Sequence, residues 1–145
     1  MRPIIAPLAV LLLTAPAHAW QAGQDGAICT LSHSEAGVDI VLTHDPSMPL
    51  YTITATGPLP LDAAPVFSIA FLGGEEIVIS TDRHTLSADG RAISVADRGF
   101  GNVLNGLSRN TSASFVIGGT TLSVSLEGAA PEVAAFEACG AVPSV

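Results

Sequence analysis

The run Val66-Phe67-Ser68-Ile69-Ala70-Phe71-Leu72-Gly73-Gly74-Glu75-Glu76-Ile77-Val78-Ile79-Ser80 decides how the chain folds. Two apolar stretches, rich in aromatic and β-branched side chains, flank a glycine pair. Such side chains suit a pleated surface, and glycines supply the positive φ that a tight hairpin turn needs. The stretch therefore predicts two antiparallel strands. The same pattern recurs on the C-terminal side, where Ser114-Phe115-Val116-Ile117 meets Gly118-Gly119 and then Thr121-Leu122-Ser123-Val124-Ser125-Leu126. A third hairpin is predicted from Thr85-Leu86-Ser87, the turn Ala88-Asp89-Gly90, and Ala92-Ile93-Ser94-Val95.

Toward the N-terminus, Tyr51-Thr52-Ile53-Thr54-Ala55-Thr56 alternates with period two, so one face is expected buried and the other wet. Val38 to Thr43 reads as a further strand, Ala27 to Leu31 as the start of the first strand, and Trp20 to Gly26 as a loose polar lead-in. Asp45-Pro46-Ser47-Met48-Pro49 is a turn cluster, and Gly57 to Pro65 is a proline-rich connection that admits no regular element. Two stretches read as helices. Val103, Leu104 and Leu107 fall at helical spacing within Gly101–Leu107, although Gly106 weakens that helix. Pro131 and Glu132 suit the first turn of a second helix, through Cys139, with Val133 and Phe136 on one face. Each helix follows a strand and a glycine, a weak internal echo that, as a repeat, would be a strand–helix unit packed twice on one mostly antiparallel sheet system. The sum is a mainly β protein: a two-layer β-sandwich or open barrel of about eight or nine antiparallel strands with two short helices.

Composition narrows the function. The 145 residues are 48% hydrophobic and only 12% charged, with a net charge of −8 and no lysine among the five basic residues. That rules out a disordered chain and argues against a nucleic-acid binder, which needs a basic face. The opening MRPIIAPLAVLLLTAPAHAW has a positive Arg2, an apolar run from Pro3 to about Leu13, and the A-x-A site Ala17-His18-Ala19. This is the layout of a secretory signal peptide over residues 1–19, leaving one β-rich domain over 20–145. The apolar run is too short, and too interrupted by Pro3 and Pro7, for a good membrane span, and no later stretch is long enough. A periplasmic or secreted protein is expected, with no transmembrane segment after cleavage. Cys29 and Cys139 are the only cysteines. An even count in an exported chain favours a disulfide over two buried thiols, and no C-x-x-C is available for redox or zinc chemistry.

The exported size, the hairpins, the strand–glycine–helix unit and the stretch Val124-Ser125-Leu126-Glu127-Gly128 leading to Val133 and Phe136 resemble the invasion-associated locus B group. These are small periplasmic β-sandwich proteins of alphaproteobacteria. The resemblance spans roughly Cys29 to Cys139 and implies an extracytoplasmic, non-enzymatic protein with no catalytic residues to carry over.

Candidate chemistry is sparse. Asp82-Arg83-His84 follows a strand, and in an extended chain Asp82 and His84 would share a face. A carboxylate beside an imidazole can orient it as a base, but no serine or cysteine nucleophile is tied to the pair, and a solvated hairpin end is the plainer expectation. His33 and Glu35 form H-x-E without the P-C-x-x-C of a zinc deaminase. His44-Asp45 precedes a proline turn, where capping is the expected job. The histidines lack the spacing of a helical zinc site, so no metal and no cofactor are expected. Arg98-Gly99-Phe100-Gly101-Asn102 lies at a strand-to-helix junction where backbone amides and Arg98 could hold an anion, with Gly99 and Gly101 as candidates. Leu104 occupies the third glycine position of a dinucleotide fingerprint, so a turn that needs glycine is the stronger reading. The reading is a non-catalytic exported protein that acts on an unknown periplasmic or envelope partner. The alternative is a small hydrolase or metal-dependent enzyme using Asp82 and His84. A DNA-repair role of the excinuclease type has no P-loop, no lysine and no basic groove to rest on.

Overall fold

The computed structural model describes residues 2–11 and 19–139. Leu12 to His18, with the end of the leader's apolar run and Ala17-His18 of the cleavage motif, lie outside the described residues. Ala19 is exposed, and residues 2–11 form no helix or strand. The elements run β1 (Gln21–Asp25), β2 (Ile28–Glu35), β3 (Val38–Asp45), β4 (Leu50–Thr56), β5 (Phe67–Leu72), β6 (Ile77–Thr81), β7 (Thr85–Leu86) and β8 (Ala92–Asp97). Helix α1 (Gly101–Arg109), β9 (Ser112–Ile117), β10 (Thr120–Ser125) and helix α2 (Ala129–Cys139) complete them.

Two antiparallel sheets hold these strands, one ordered β1-β2-β3-β4-β8-β7 and the other β10-β9-β5-β6. The fold is thus a β-sandwich and not a closed barrel. Alternation drives it. Leu31, Ile40, Leu42, Ile53 and Ile93 of the larger sheet and Phe67, Ile69, Phe71, Phe115 and Ile117 of the smaller one are buried between the layers. Each such side chain contributes about 1.5–3 kcal/mol through burial. The intervening residues face outward and pair hydroxyl to hydroxyl across strands, as in Thr54 with Ser94, Ser68 with Ser80 and Ser114 with Ser123.

All three expected hairpins form, with different turns. Gly118-Gly119 is a two-residue turn between paired Ile117 and Thr120, with Gly118 at φ 55°. The connection from β5 to β6 is wider, running from Gly73 to Glu76. A Cβ on Gly74 would sit 2.0 Å from the carbonyl oxygen of Arg109, so this loop is shaped by the end of α1. The sequence pattern did not disclose a turn at Ala36-Gly37, where both residues have positive φ, 49° and 80°, and β2 reverses into β3. Alanine gives little warning of that geometry.

Two expectations are corrected. Trp20 to Gly26 is not a loose lead-in: Gln21–Asp25 pairs with β2 along its whole length, and Trp20 is only 3% exposed. The strand was illegible because Gln21–Asp25 carries no apolar alternation, while its register comes from neighbours. The strand–glycine–helix echo is also not one repeated unit on one sheet. β8 belongs to the larger sheet and β10 to the smaller, and their helices meet each other. Cys29 and Cys139 form a disulfide that ties β2 to the last turn of α2 across a separation of 110 residues.

The proline-rich connection between β4 and β5 has no regular structure but is held in place. The Leu61 amide donates to the Gly90 carbonyl, the Gly119 amide donates to Asp62, and Leu61 is buried.

Candidate functional site

The chain crosses from the smaller to the larger sheet between β6 and β7, at Asp82-Arg83-His84. That crossing bends the backbone, so the shared extended face expected for Asp82 and His84 does not form. His84 turns inward. Its Nε2–H donates to the Ala64 carbonyl at 2.8 Å, its ring lies 6.1 Å from that of Phe67, and its buried Nδ1 has no hydrogen-bond partner among the described residues. Asp82 is exposed, and no hydrogen bond among the described residues joins it to His84. His84 thus pins the proline-rich connection. Arg83 instead pairs with Asp97 of β8 at 3.3 Å, an exposed contact between the crossover and the larger sheet.

His33 and His44 are likewise engaged separately. The His33 ring stacks on Trp20 with centroids 4.7 Å apart, and its Nε2 contacts Glu35 at 3.1 Å. Glu35 also accepts the Ser125 amide, while the Trp20 indole donates to the Ser125 carbonyl. This lock joins β2 to the end of β10 and to the residue before β1. The hydrogen bond from His33, and then the Ser125 amide, hold the Glu35 carboxyl below its usual range. His44 stacks on Tyr51 at 4.0 Å, and Tyr51 in turn faces Phe100 and Phe136, so that side-chain stack binds the larger sheet to both helices. Asp45 accepts the Ser47 hydroxyl and amide, the turn-capping job expected of it, and those bonds depress its pKa. Among the described residues no three His, Cys, Asp or Glu side chains gather as a metal-ligand set.

What the fold does assemble is a cleft of about 440 Å³ between the layers, on the side where β8 and β6 face each other. Its apolar walls are Ile53 and Val95 from the larger sheet, Phe67, Ile69 and Ile79 from the smaller one, and Phe100 and Val103 at the start of α1. Ser80, Thr81, Arg83, Asp97 and Asn102 supply its polar lining. Gly99 and Gly101, the anion candidates of the strand-to-helix junction, also line it, whereas Arg98 is exposed and does not line the cleft. No side chain caps the start of α1; Phe100 sits at the N-cap position with its ring buried. The turn expected to need glycine is not found: neither Gly99 nor Gly101 has a positive φ, and a Cβ on either would meet nothing within 4 Å.

The cleft has a structural origin. Strand β7 is two residues long and pairs only with Ile93 and Ser94, so Val95 and Asp97, the β8 residues that line the cleft, lie beyond its end. Sequence reasoning missed it because its walls come from strands far apart in the chain. No family model matches this chain, and neither a curated protein nor a solved structure is detectably similar to it.

Proposed function

We propose that this chain is an exported, non-catalytic binding protein of the periplasm or exterior, and that the cleft between β8 and β6 receives a small, largely apolar ligand. The cleft carries the reading. It offers apolar walls from both sheets beside a set of polar side chains, the usual composition of a small-molecule site. Its charges, Arg83 and Asp97, neutralise each other. The secretory layout of residues 1–19 and the Cys29–Cys139 disulfide support export. A non-enzymatic role also agrees with the resemblance to the invasion-associated locus B proteins.

The test uses the disulfide-intact protein and the neutral fluorophore N-phenyl-1-naphthylamine. Saturable binding with enhanced emission is expected, weakened about tenfold or more by Val95→Glu, since a charge in an apolar pocket is strongly disfavoured. Folded protein that does not bind the probe, or a variant that binds it unchanged, overturns the cleft assignment. Export is read separately: mass spectrometry of periplasmic material is expected to find a chain beginning at Trp20.

A further inference from the structure

Charge is sparse in this chain, at 12% of residues, yet the cleft between β8 and β6 receives one charge of each sign. Among its described lining residues, Arg83 and Asp97 alone are ionic. Arg83 stands on the crossover, where its own amide donates to the Thr81 hydroxyl at 3.0 Å. Asp97 ends β8, opposite Tyr51 of β4, and its Oδ1 accepts the Arg98 amide at 2.7 Å. Both backbones are thus held, and that bond aims the Asp97 carboxylate. The contact between the two side chains is slack. Arg83 Nη2 lies 3.3 Å from Asp97 Oδ2, longer than the roughly 2.7–2.9 Å of a well-formed charge-assisted bond, and the side chains are 74% and 44% exposed. So exposed a pair contributes little, and little is lost when it opens.

Resting on the cleft reading, we infer that the ligand is a free α-amino acid with a large apolar side chain, bound as its zwitterion. A ligand bearing only a negative charge would meet Asp97, and one bearing only a positive charge would meet Arg83, each a like-charge contact. A ligand with both charges lets each side chain exchange its slack partner for a better one. The ligand carboxylate accepts from the planar fork of the Arg83 guanidinium, and the ligand ammonium donates to Asp97. Spacing selects the α-amino acid. Because Arg83 and Asp97 stand in contact, the two ligand charges must be neighbours. An α-amino acid carries both on one carbon, whereas a peptide separates its termini by at least one peptide unit. The side chain then enters between Ile53 and Val95 of one sheet and Phe67, Ile69 and Ile79 of the other. At about 440 Å³ the cleft lies near the small end of ligand sites, roughly 300–1,000 Å³, which suits an amino acid better than a lipid.

Displacement of N-phenyl-1-naphthylamine from the disulfide-intact protein at neutral pH tests this. L-Leucine and L-phenylalanine are expected to displace the probe saturably. 3-Phenylpropanoate, which lacks the ammonium, and phenylalaninamide, which lacks the carboxylate, are expected to bind about tenfold or more weakly than L-phenylalanine. Calorimetry on two variants reads the protein side. Asp97→Asn is expected to erase the preference for L-phenylalanine over 3-phenylpropanoate, and Arg83→Gln the preference over phenylalaninamide. A variant that merely unfolds loses all binding and does not change its preference in this way. Bound probe that neither amino acid displaces at millimolar concentration overturns the inference and leaves the cleft reading standing. Equal binding of the intact and truncated head groups also overturns it, as do variants that keep the wild-type preference. Folded protein that binds neither probe nor amino acid overturns the cleft reading as well.

Discussion

Gly106 shows how a single missing methyl group positions a helix. In the sequence it is a weak point in α1, since glycine lowers helix stability by about 1 kcal/mol relative to alanine. In the fold, a Cβ at this position would lie 2.3 Å from the Phe71 ring, which is fully buried at the centre of the smaller sheet. The helix backbone therefore rests directly on an aromatic face, and the propensity loss is the condition for that contact. Gly106→Ala should gain helix propensity yet overpack the core, a net destabilisation of about 1–2 kcal/mol. Urea unfolding should show a lower midpoint at unchanged slope; a stabilised variant would mean that Phe71 moves aside freely. Asn110, just after the helix, adds to the fixed geometry by donating to the Gly106 and Glu75 carbonyls.

At the scale of elements, legibility followed local pattern. The strands around Gly73-Gly74 and Gly118-Gly119, the alternation of β4 and both helices were all readable from neighbouring residues. β1 was not, because Gln21–Asp25 carries no apolar alternation and is held by β2 and Glu132. The cleft was not readable either, since Ile53, Phe67, Ile79, Val95 and Phe100 share no local motif. Nor was the lock of Trp20, His33, Glu35 and Ser125, although H-x-E put two of its members in view. That lock predicts a pH dependence. Glu35 releases its proton more readily in the folded chain than in the unfolded one, so its contribution is complete above the ordinary glutamate value of about 4.3. It is lost as pH falls through the lower folded value. Glu35→Gln should therefore be less stable than the wild type at neutral pH, and the gap should close in acid. A gap that persists unchanged in acid strong enough to protonate the carboxylate in both states would show that its charge is irrelevant to the docking.

For the molecule as a whole, the Cys29–Cys139 bridge fastens the larger sheet to α2, whose Val133 and Phe136 fill the core. Loop closure over so long a span restricts the unfolded chain strongly. Cys139→Ser should cost about 2–5 kcal/mol, read as a lower thermal midpoint that reductant does not depress further. If wild-type protein melts at the same temperature with and without reductant, the bridge is an ornament to a fold secured by α2 packing alone.

The bridge also dictates an order of events. A polypeptide delivered N-terminus first presents Cys29 early, yet its partner thiol emerges only with the closing helix, after every strand has been made. Until then the first cysteine is an unmated thiol on a half-assembled sheet, open to foreign oxidants and to proteases. The native bridge therefore cannot close until α2 has been delivered, which makes this covalent fastening a late step of assembly.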